Sequence, residues 1–369
     1  MGRGTAARPR PDRSALRLRE HALTEYSDVL VERRGRLGLL TLDRPRALNA
    51  LTHPMVRRIA EAIATWADDD TVGAVAITGA GPRGLCAGGD IVALYRDATE
   101  GDGSASRAFW ADEYRLDLAL ARYPKPVVAI QDGLVLGGGI GISAHCSHRV
   151  VTERSRLGLP EVGIGFAPDV GATWLLSRAP GRLGLAIGMT GLTVGAGDAL
   201  ALGLSDHSVP SGDLAGLLAA LETQEPDAAI AAVAQPAPVS GLLADRDWID
   251  EVFAAADVPA IVERLRGQAS ERAAELAAAL DRVSPTSAAV ALRGIRTAAG
   301  LGSLAEALVQ EYRVSCHAFG TAELREGIRA QVIDKDRAPR WRPATHDAVT
   351  PEAVAAYFAA PVCGDLDLT

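Results

Sequence analysis

Two glycine-rich segments, each following a run that reads as a buried strand, constrain this chain more than any other feature. Val72 to Thr78 leads into Leu85-Cys86-Ala87-Gly88-Gly89-Asp90-Ile91, and Pro126 to Gln131 leads into Leu136-Gly137-Gly138-Gly139-Ile140-Gly141. A segment without Cβ atoms lets bare backbone N–H groups approach a ligand closely. The same glycines also serve tight turns and close helix packing, so either segment alone is weak. From Val29 to about Val209 short apolar runs alternate with helical patterns, which is the signature of an α/β domain.

Within it, Val29-Leu30-Val31 and Gly38 to Leu42 read as antiparallel strands turned by Arg34-Gly35-Arg36. A helix from Pro54 to Trp66 follows, with Met55, Ile59, Ile63 and Trp66 on one face. A further helix, about Ala108 to Arg122, stops at Pro124, and a buried helix runs from about Gly138 to Cys146. After Val209, apolar or Ala-rich stretches (Leu214–Leu221, Pro259–Leu265, Glu271–Leu280) favour helix, and Gln235-Pro236-Ala237-Pro238 reads as a linker or loop. The expected organisation is an Arg-rich disordered tail over 1–27, a catalytic core over 28–209 and a helical domain over 210–369.

A net charge of -8 argues against nucleic acid or an anionic membrane as the main partner. No stretch approaches eighteen charge-free apolar residues. Cys86, Cys146, Cys316 and Cys363 lack close-paired metal spacing and read as reduced thiols of an intracellular protein. The first nineteen residues carry six arginines against one acid, Asp12. That composition fits a disordered tail or an organelle transit peptide. Only Lys125 and Lys335 represent lysine, so the arginine reflects a chain-wide bias, and a bacterial cytoplasmic protein is expected, or a mitochondrial matrix one if the source is eukaryotic.

Two amides converging on one carbonyl oxygen form an oxyanion hole. An acyl thioester is the natural occupant, because its oxygen gains charge as the carbonyl carbon is attacked or its α-carbon is deprotonated. The two Gly segments, with Leu42-Asp43-Arg44-Pro45-Arg46-Ala47-Leu48-Asn49-Ala50-Leu51 and Leu159-Pro160-Glu161 through Pro168-Asp169-Val170-Gly171, resemble the enoyl-CoA hydratase/isomerase (crotonase) superfamily. The C-terminal half is similar to its 3-hydroxyisobutyryl-CoA hydrolase branch in Ser284-Pro285-Thr286-Ser287, Glu311 to Ser315, Glu326-Gly327-Ile328-Arg329-Ala330, Ile333 to Asp336, Pro339 and Trp341. This mixed-charge cluster is expected to dock the helical part onto the core.

The resemblance implies an α/β spiral of repeated ββα turns with a C-terminal helical domain. It also implies that the amides of Gly89 and Gly138 bind the thioester oxygen, Gly138 opening a helix whose dipole favours the developing charge. Hydratases of the superfamily use two glutamates, and here the first position is Gly141, leaving only Glu161. Asp169, eight residues on, completes the pair expected of the hydrolases; its structural alternative is an N-cap for a helix over Val170–Ser177. Glu113 matches a substrate-contacting glutamate, able to accept a hydrogen bond from a 3-hydroxyl, although a lone Glu on a helix is ordinarily solvated. Coenzyme A would pass along the backbone of Arg46, Ala47 and Leu48 and the segment containing Ala87, Asp90 and Ile91, as part of the substrate. No retained cofactor and no metal are implied.

Three other patterns are set aside. Gly79-Ala80-Gly81-Pro82-Arg83-Gly84 fits a dinucleotide-binding glycine pattern but does not open a helix. Gly141-Ile142-Ser143-Ala144-His145 misses a nucleophile elbow at its fifth residue. His145, Cys146 and His148 lack a matching distant ligand pair. The expected function is hydrolysis of a short 3-hydroxyacyl-CoA thioester by a self-associating enzyme, a trimer or its multiple. The alternatives are an enoyl-CoA hydratase or isomerase and a non-catalytic acyl-CoA-binding member of the fold.

Overall fold

The computed structural model describes residues 28–368; the expected N-terminal tail lies outside the described residues. β1 (Val29–Arg34) and β2 (Leu37–Leu42) form the expected hairpin, in register from Val29 opposite Leu42 to Arg34 opposite Leu37. Its turn uses Gly35 at φ +57°, a left-handed conformation that glycine adopts without strain.

Each later turn of chain then contributes one strand to each of two sheets. β3 (Ala74–Gly79), β5 (Val127–Gln131), β7 (His148–Val151) and β10 (His207–Ser208) extend the hairpin in parallel, giving the order β1-β2-β3-β5-β7-β10. β4 (Gly84–Cys86), β6 (Leu134–Leu136) and β8 (Arg156–Gly158) pair in parallel in the second sheet, which β9 (Thr193–Val194) closes antiparallel. This is the expected ββα spiral. It has one decisive consequence: β4, β6 and β8 are neighbours running the same way, so whatever follows each of them emerges at one edge. The first glycine segment follows β4, the second follows β6, and the Pro160–Ile164 turn carrying Glu161 follows β8.

The expected helices form with shifted ends. The helix predicted from Ala108 runs over Ser104–Ala121, and Gly138–Ala144 stops short of Cys146. A helix over Ile91–Glu100 was not expected; its short apolar stripe of Ile91, Leu94 and Tyr95 packs only partly buried on the second apolar cluster. Its start is fixed by Asp90, whose Oδ1 accepts the N–H groups of Val92 and Ala93 at 3.2 Å each.

Beyond Ser208 the described chain is helical and irregular, including Leu214–Leu221, Val258–Arg266 and Glu271–Leu280. Pro259 sits in the first turn of Val258–Arg266, where its missing N–H costs nothing. The main apolar cluster takes side chains from both sides of residue 209, among them Leu42, Ile77, Ile140, Leu176, Phe253, Ile261 and Ile295. A second cluster joins Trp110, Tyr114 and Phe166 to Leu308, Tyr312 and Leu324. The C-terminal helices therefore pack directly on the segments that surround the strand ends.

Candidate active site

The three strand ends surround a cavity of about 250 Å³, whose walls include Leu51, Gly88, Gly89, Gly137, Gly138, Glu113, Glu161 and Asp169. Leu51 makes a parallel bridge with Gly89: its N–H donates to Gly88 O and its carbonyl accepts from Asp90 N, each at 2.8 Å. In such a ladder the N–H of the intervening residue points away from the partner, so the Gly89 amide faces away from Leu51. Gly138 is the first residue of its helix, where an N–H has no intrahelical acceptor. The two segments lie against each other: a Cβ at Gly138 would stand 3.4 Å from the Gly89 nitrogen, and one at Gly88 would stand 3.7 Å from the Gly138 nitrogen.

That Gly138 Cβ would also stand 2.6 Å from Glu113 Oε1, so glycine is required there for the carboxyl to come close. One at Gly137, which sits at φ +50°, would stand 2.8 Å from Glu161 Oε1. Glu113 Oε1 and Glu161 Oε2 are buried and have no hydrogen-bond partner among the described residues. Glu113 is only 2% exposed, because Ser104–Ala121 packs under the C-terminal Leu304–Phe319 helix and the solvated alternative does not hold. Asp169 Oδ2 accepts the Tyr114 hydroxyl at 2.7 Å, and the Tyr114 hydroxyl oxygen also meets Ser315 Oγ at 2.8 Å.

Burial sets the chemistry of these acids. It lifts Glu113 and Glu161 well above the ordinary glutamate range, and the charge of Asp169 raises both further. Asp169 is pushed up to about 7 by burial, against the lowering effect of the Tyr114 hydrogen bond. Asp169 can therefore hold or release a proton near neutrality, as a general acid or base must.

The capping alternative for Asp169 is corrected. The helix begins later, over Ala172–Ser177, and its N-cap position is Gly171. Glu311, from Leu304–Phe319, accepts the Gly171 N–H at 2.6 Å and the Thr173 N–H at 2.8 Å, supplying the bonds an N-cap side chain would. Glu311 itself is pushed up to about 8, chiefly by burial. Spacing along the chain held no signal for it, since the contact spans 140 residues.

Asp117 was also missed, although it lies one helical turn from Glu113. It is fully buried with neither carboxyl oxygen hydrogen-bonded among the described residues. Burial, then the charges of Glu113, Asp169 and Glu311, lift it well above the usual aspartate range. A Cβ at Gly141 would stand 2.9 Å from each Asp117 oxygen and 2.8 Å from the Val170 Cβ. The space beside Gly141 is thus filled from other elements.

Ala87, Asp90 and Ile91 line the cavity, whereas Arg46, Ala47 and Leu48 form a neighbouring turn outside its walls. Leu48 O accepts the Ala87 N–H at 3.0 Å, which ties that turn to the first glycine segment. Asp90 is engaged structurally, since its Oδ2 meets Arg44 Nη2 at 2.9 Å. His145 Nε2 bonds Val170 O at 2.8 Å, His148 Nε2 meets Asp227, and no three-ligand metal cluster occurs among the described residues. No helix among them is long and apolar enough to cross a membrane.

Residues 37–358 match the family model described as enoyl-CoA hydratase/isomerase. Mouse mitochondrial 3-hydroxyisobutyryl-CoA hydrolase is 37% identical, over 95% of this chain and 93% of its own. The Arabidopsis thaliana 3-hydroxyisobutyryl-CoA hydrolase 1 is 35% identical, over 91% and 92%. Among solved structures, one titled a carnitinyl-CoA dehydratase from Mycobacterium thermoresistibile superposes with a TM-score of 0.90 at 49% identity, covering 93% of this chain and 99% of its own. One titled an enoyl-CoA hydratase from Rhodobacter sphaeroides gives 0.87 at 43%, covering 92% and 100%. Sheet topology, strand-end site and sequence agree: the chain belongs to the enoyl-CoA hydratase/isomerase family.

Proposed function

We propose that this protein hydrolyses a short 3-hydroxyacyl-CoA thioester, 3-hydroxyisobutyryl-CoA foremost, to the free hydroxy acid and coenzyme A. The observation that carries the reading is one cavity bounded by the Gly89 and Gly138 segments and by the carboxyls of Glu113, Glu161 and Asp169. The curated hydrolases, similar over nearly the whole chain, support the same substrate, and a place in valine degradation is the setting we infer for it.

The thioester oxygen takes hydrogen bonds from the Gly89 and Gly138 amides, each such donor lowering the barrier by about 3 kcal/mol. Glu161, beside Gly137, either attacks the carbonyl carbon and expels the coenzyme A thiolate, giving a mixed anhydride that water then hydrolyses, or takes a proton from a water that attacks that carbon and displaces the thiolate, which leaves protonated as the free thiol. Asp169 orients that group and moves protons in the second step. Glu113, whose proton affinity is raised by burial and by its acidic neighbours, meets the substrate's 3-hydroxyl beside the oxyanion amide. Coenzyme A passes along the Arg46–Leu48 turn and the Ala87–Ile91 segment, and no retained cofactor takes part. The expected setting is a cytoplasmic homo-oligomer, a trimer or its multiple, which light scattering sizes.

Thiol release from 3-hydroxyisobutyryl-CoA tests the reading: Glu161→Gln should lower it by about a thousandfold. An unchanged rate removes Glu161 from the reaction. Single turnover in oxygen-18 water separates the two routes, since label in Glu161 marks the anhydride and label confined to the product marks direct attack.

A dehydratase or hydratase is the second reading, favoured by the titles of the two structures at 49% and 43% identity. Against it stands the Gly141 position, where Asp117 and Val170 leave no room for a second glutamate. Hydration of crotonyl-CoA without thiol release would decide for it.

A further inference from the structure

Across the Ile91–Glu100 helix from the acyl cavity lies a second cavity of about 470 Å³, walled by Tyr95 and Thr99 on that helix and by Arg325, Arg329, Arg340 and Arg342. Four arginines face only two glutamates in its lining, Glu323 and Glu326, within a chain of net charge -8. We propose that this cavity binds a phosphate-bearing anion through Arg325, Arg340 and Arg342.

The acids beside these arginines are already engaged. Arg329 is neutralised: it takes Glu326 in two hydrogen bonds of 2.9 and 2.8 Å, Asp334 at 2.6 Å and Asp336 at 2.7 Å. Glu326 Oε1 also accepts the backbone N–H of Arg340, and Glu323 Oε1 accepts that of Arg342, both at 2.8 Å. Trp341, between them, is anchored by its indole N–H on Arg282 O at 3.1 Å. The carboxylates therefore fix the main chain of Arg340 and Arg342 without forming a hydrogen bond to either guanidinium, although Glu326 and Asp336 lie within electrostatic reach of Arg340. No hydrogen bond or ion pair holds the side chain of Arg325, Arg340 or Arg342 among the described residues.

Ordinary surface arginines beside free carboxylates pair with them. Here three guanidinium groups without a side-chain hydrogen bond share one space, Arg340 feeling the charges of Glu326 and Asp336 at a distance, with Tyr95 on the facing helix in the same lining. A lone carboxylate fills one fork, whereas a phosphate or diphosphate presents enough oxygens to bridge several. That anion is either the phosphate portion of a coenzyme A thioester or a free phosphate compound.

Calorimetric titration of the full chain with inorganic pyrophosphate at low salt should show binding, weakened at least about tenfold in an Arg340→Gln/Arg342→Gln variant that unfolds at the same temperature. The source follows from KM values for the same acyl group on coenzyme A and on pantetheine, which lacks the phosphates. A KM that rises in the variant for the coenzyme A ester alone assigns the anion to the substrate. An unchanged KM with lost pyrophosphate binding assigns a free anion. Pyrophosphate binding that is absent, or equal in the two proteins, overturns the site. The titration needs no turnover, so it stands apart from the proposed hydrolysis.

Discussion

Tyr114 shows how a single hydroxyl tunes the candidate pair. Its hydrogen bond favours the charged form of Asp169, which burial pushes up to about 7. Asp169 is therefore protonated below that pH and ionised above it, and thiol release is expected to rise as pH increases through about 7. In Tyr114→Phe the proton is held more tightly, so the acid limb of the kcat/KM profile moves to higher pH. A profile that stays in place removes Asp169 from the titrating step. Asp117 makes a complementary case in stability. Its folded proton affinity lies above that of the unfolded chain, so its contribution is fully present below an unfolded pKa of about 4 and is lost as pH rises. Asp117→Asn cannot ionise; the variant should match the native protein near pH 4 and be the more stable of the two at pH 8, as denaturant unfolding would show.

Among elements, the strands after which the site residues fall were legible in the chain, and their partners were not. The apolar runs at Ala74–Gly79 and Val127–Gln131 lie wholly or largely inside, so hydrophobicity marks them. The glycines mark where backbone comes close to a neighbour, and the family resemblance singled out Gly89 and Gly138 among them. Glu161 and Asp169 were reached through a family resemblance that spans two loops. Glu311 lies in a stretch that the resemblance marked, but its seat on Gly171 and Thr173 could not be read from it, and Asp117 carried no mark at all, because both roles come from contacts between segments far apart in sequence. The Gly141 position belongs to the same problem: its lack of a side chain reads as helix packing until Asp117 and Val170 are seen filling the space. Gly141→Ala should force that packing apart, costing about 1–3 kcal/mol by thermal or denaturant unfolding. Restoring the loss with Asp117→Ser in the same chain would confirm which contact is responsible.

For the whole molecule, the relevant fact is how the C-terminal helices reach the strand-end site. A Cβ at Gly327 would fall 2.2 Å from the carbonyl carbon of Ile164, a residue that lines the acyl cavity three positions from Glu161. The helix Ala322–Ile328 therefore rests directly on the turn that presents the glutamate, backbone to backbone. Gly327→Ala must displace one or the other, and kcat should fall further than the change in melting temperature alone accounts for. A fall in melting temperature with kcat intact would show that the turn tolerates the movement.

Glu311 carries this dependence to its end. The loop bearing Asp169 owes its final hydrogen bonds to a side chain synthesised about 140 residues later. A nascent chain that has completed both sheets still lacks the acceptor that seats Gly171 and Thr173. A product shortened before the Leu304–Phe319 helix is therefore expected to build both sheets yet leave those two amides without this acceptor, and to release no thiol where the full chain does.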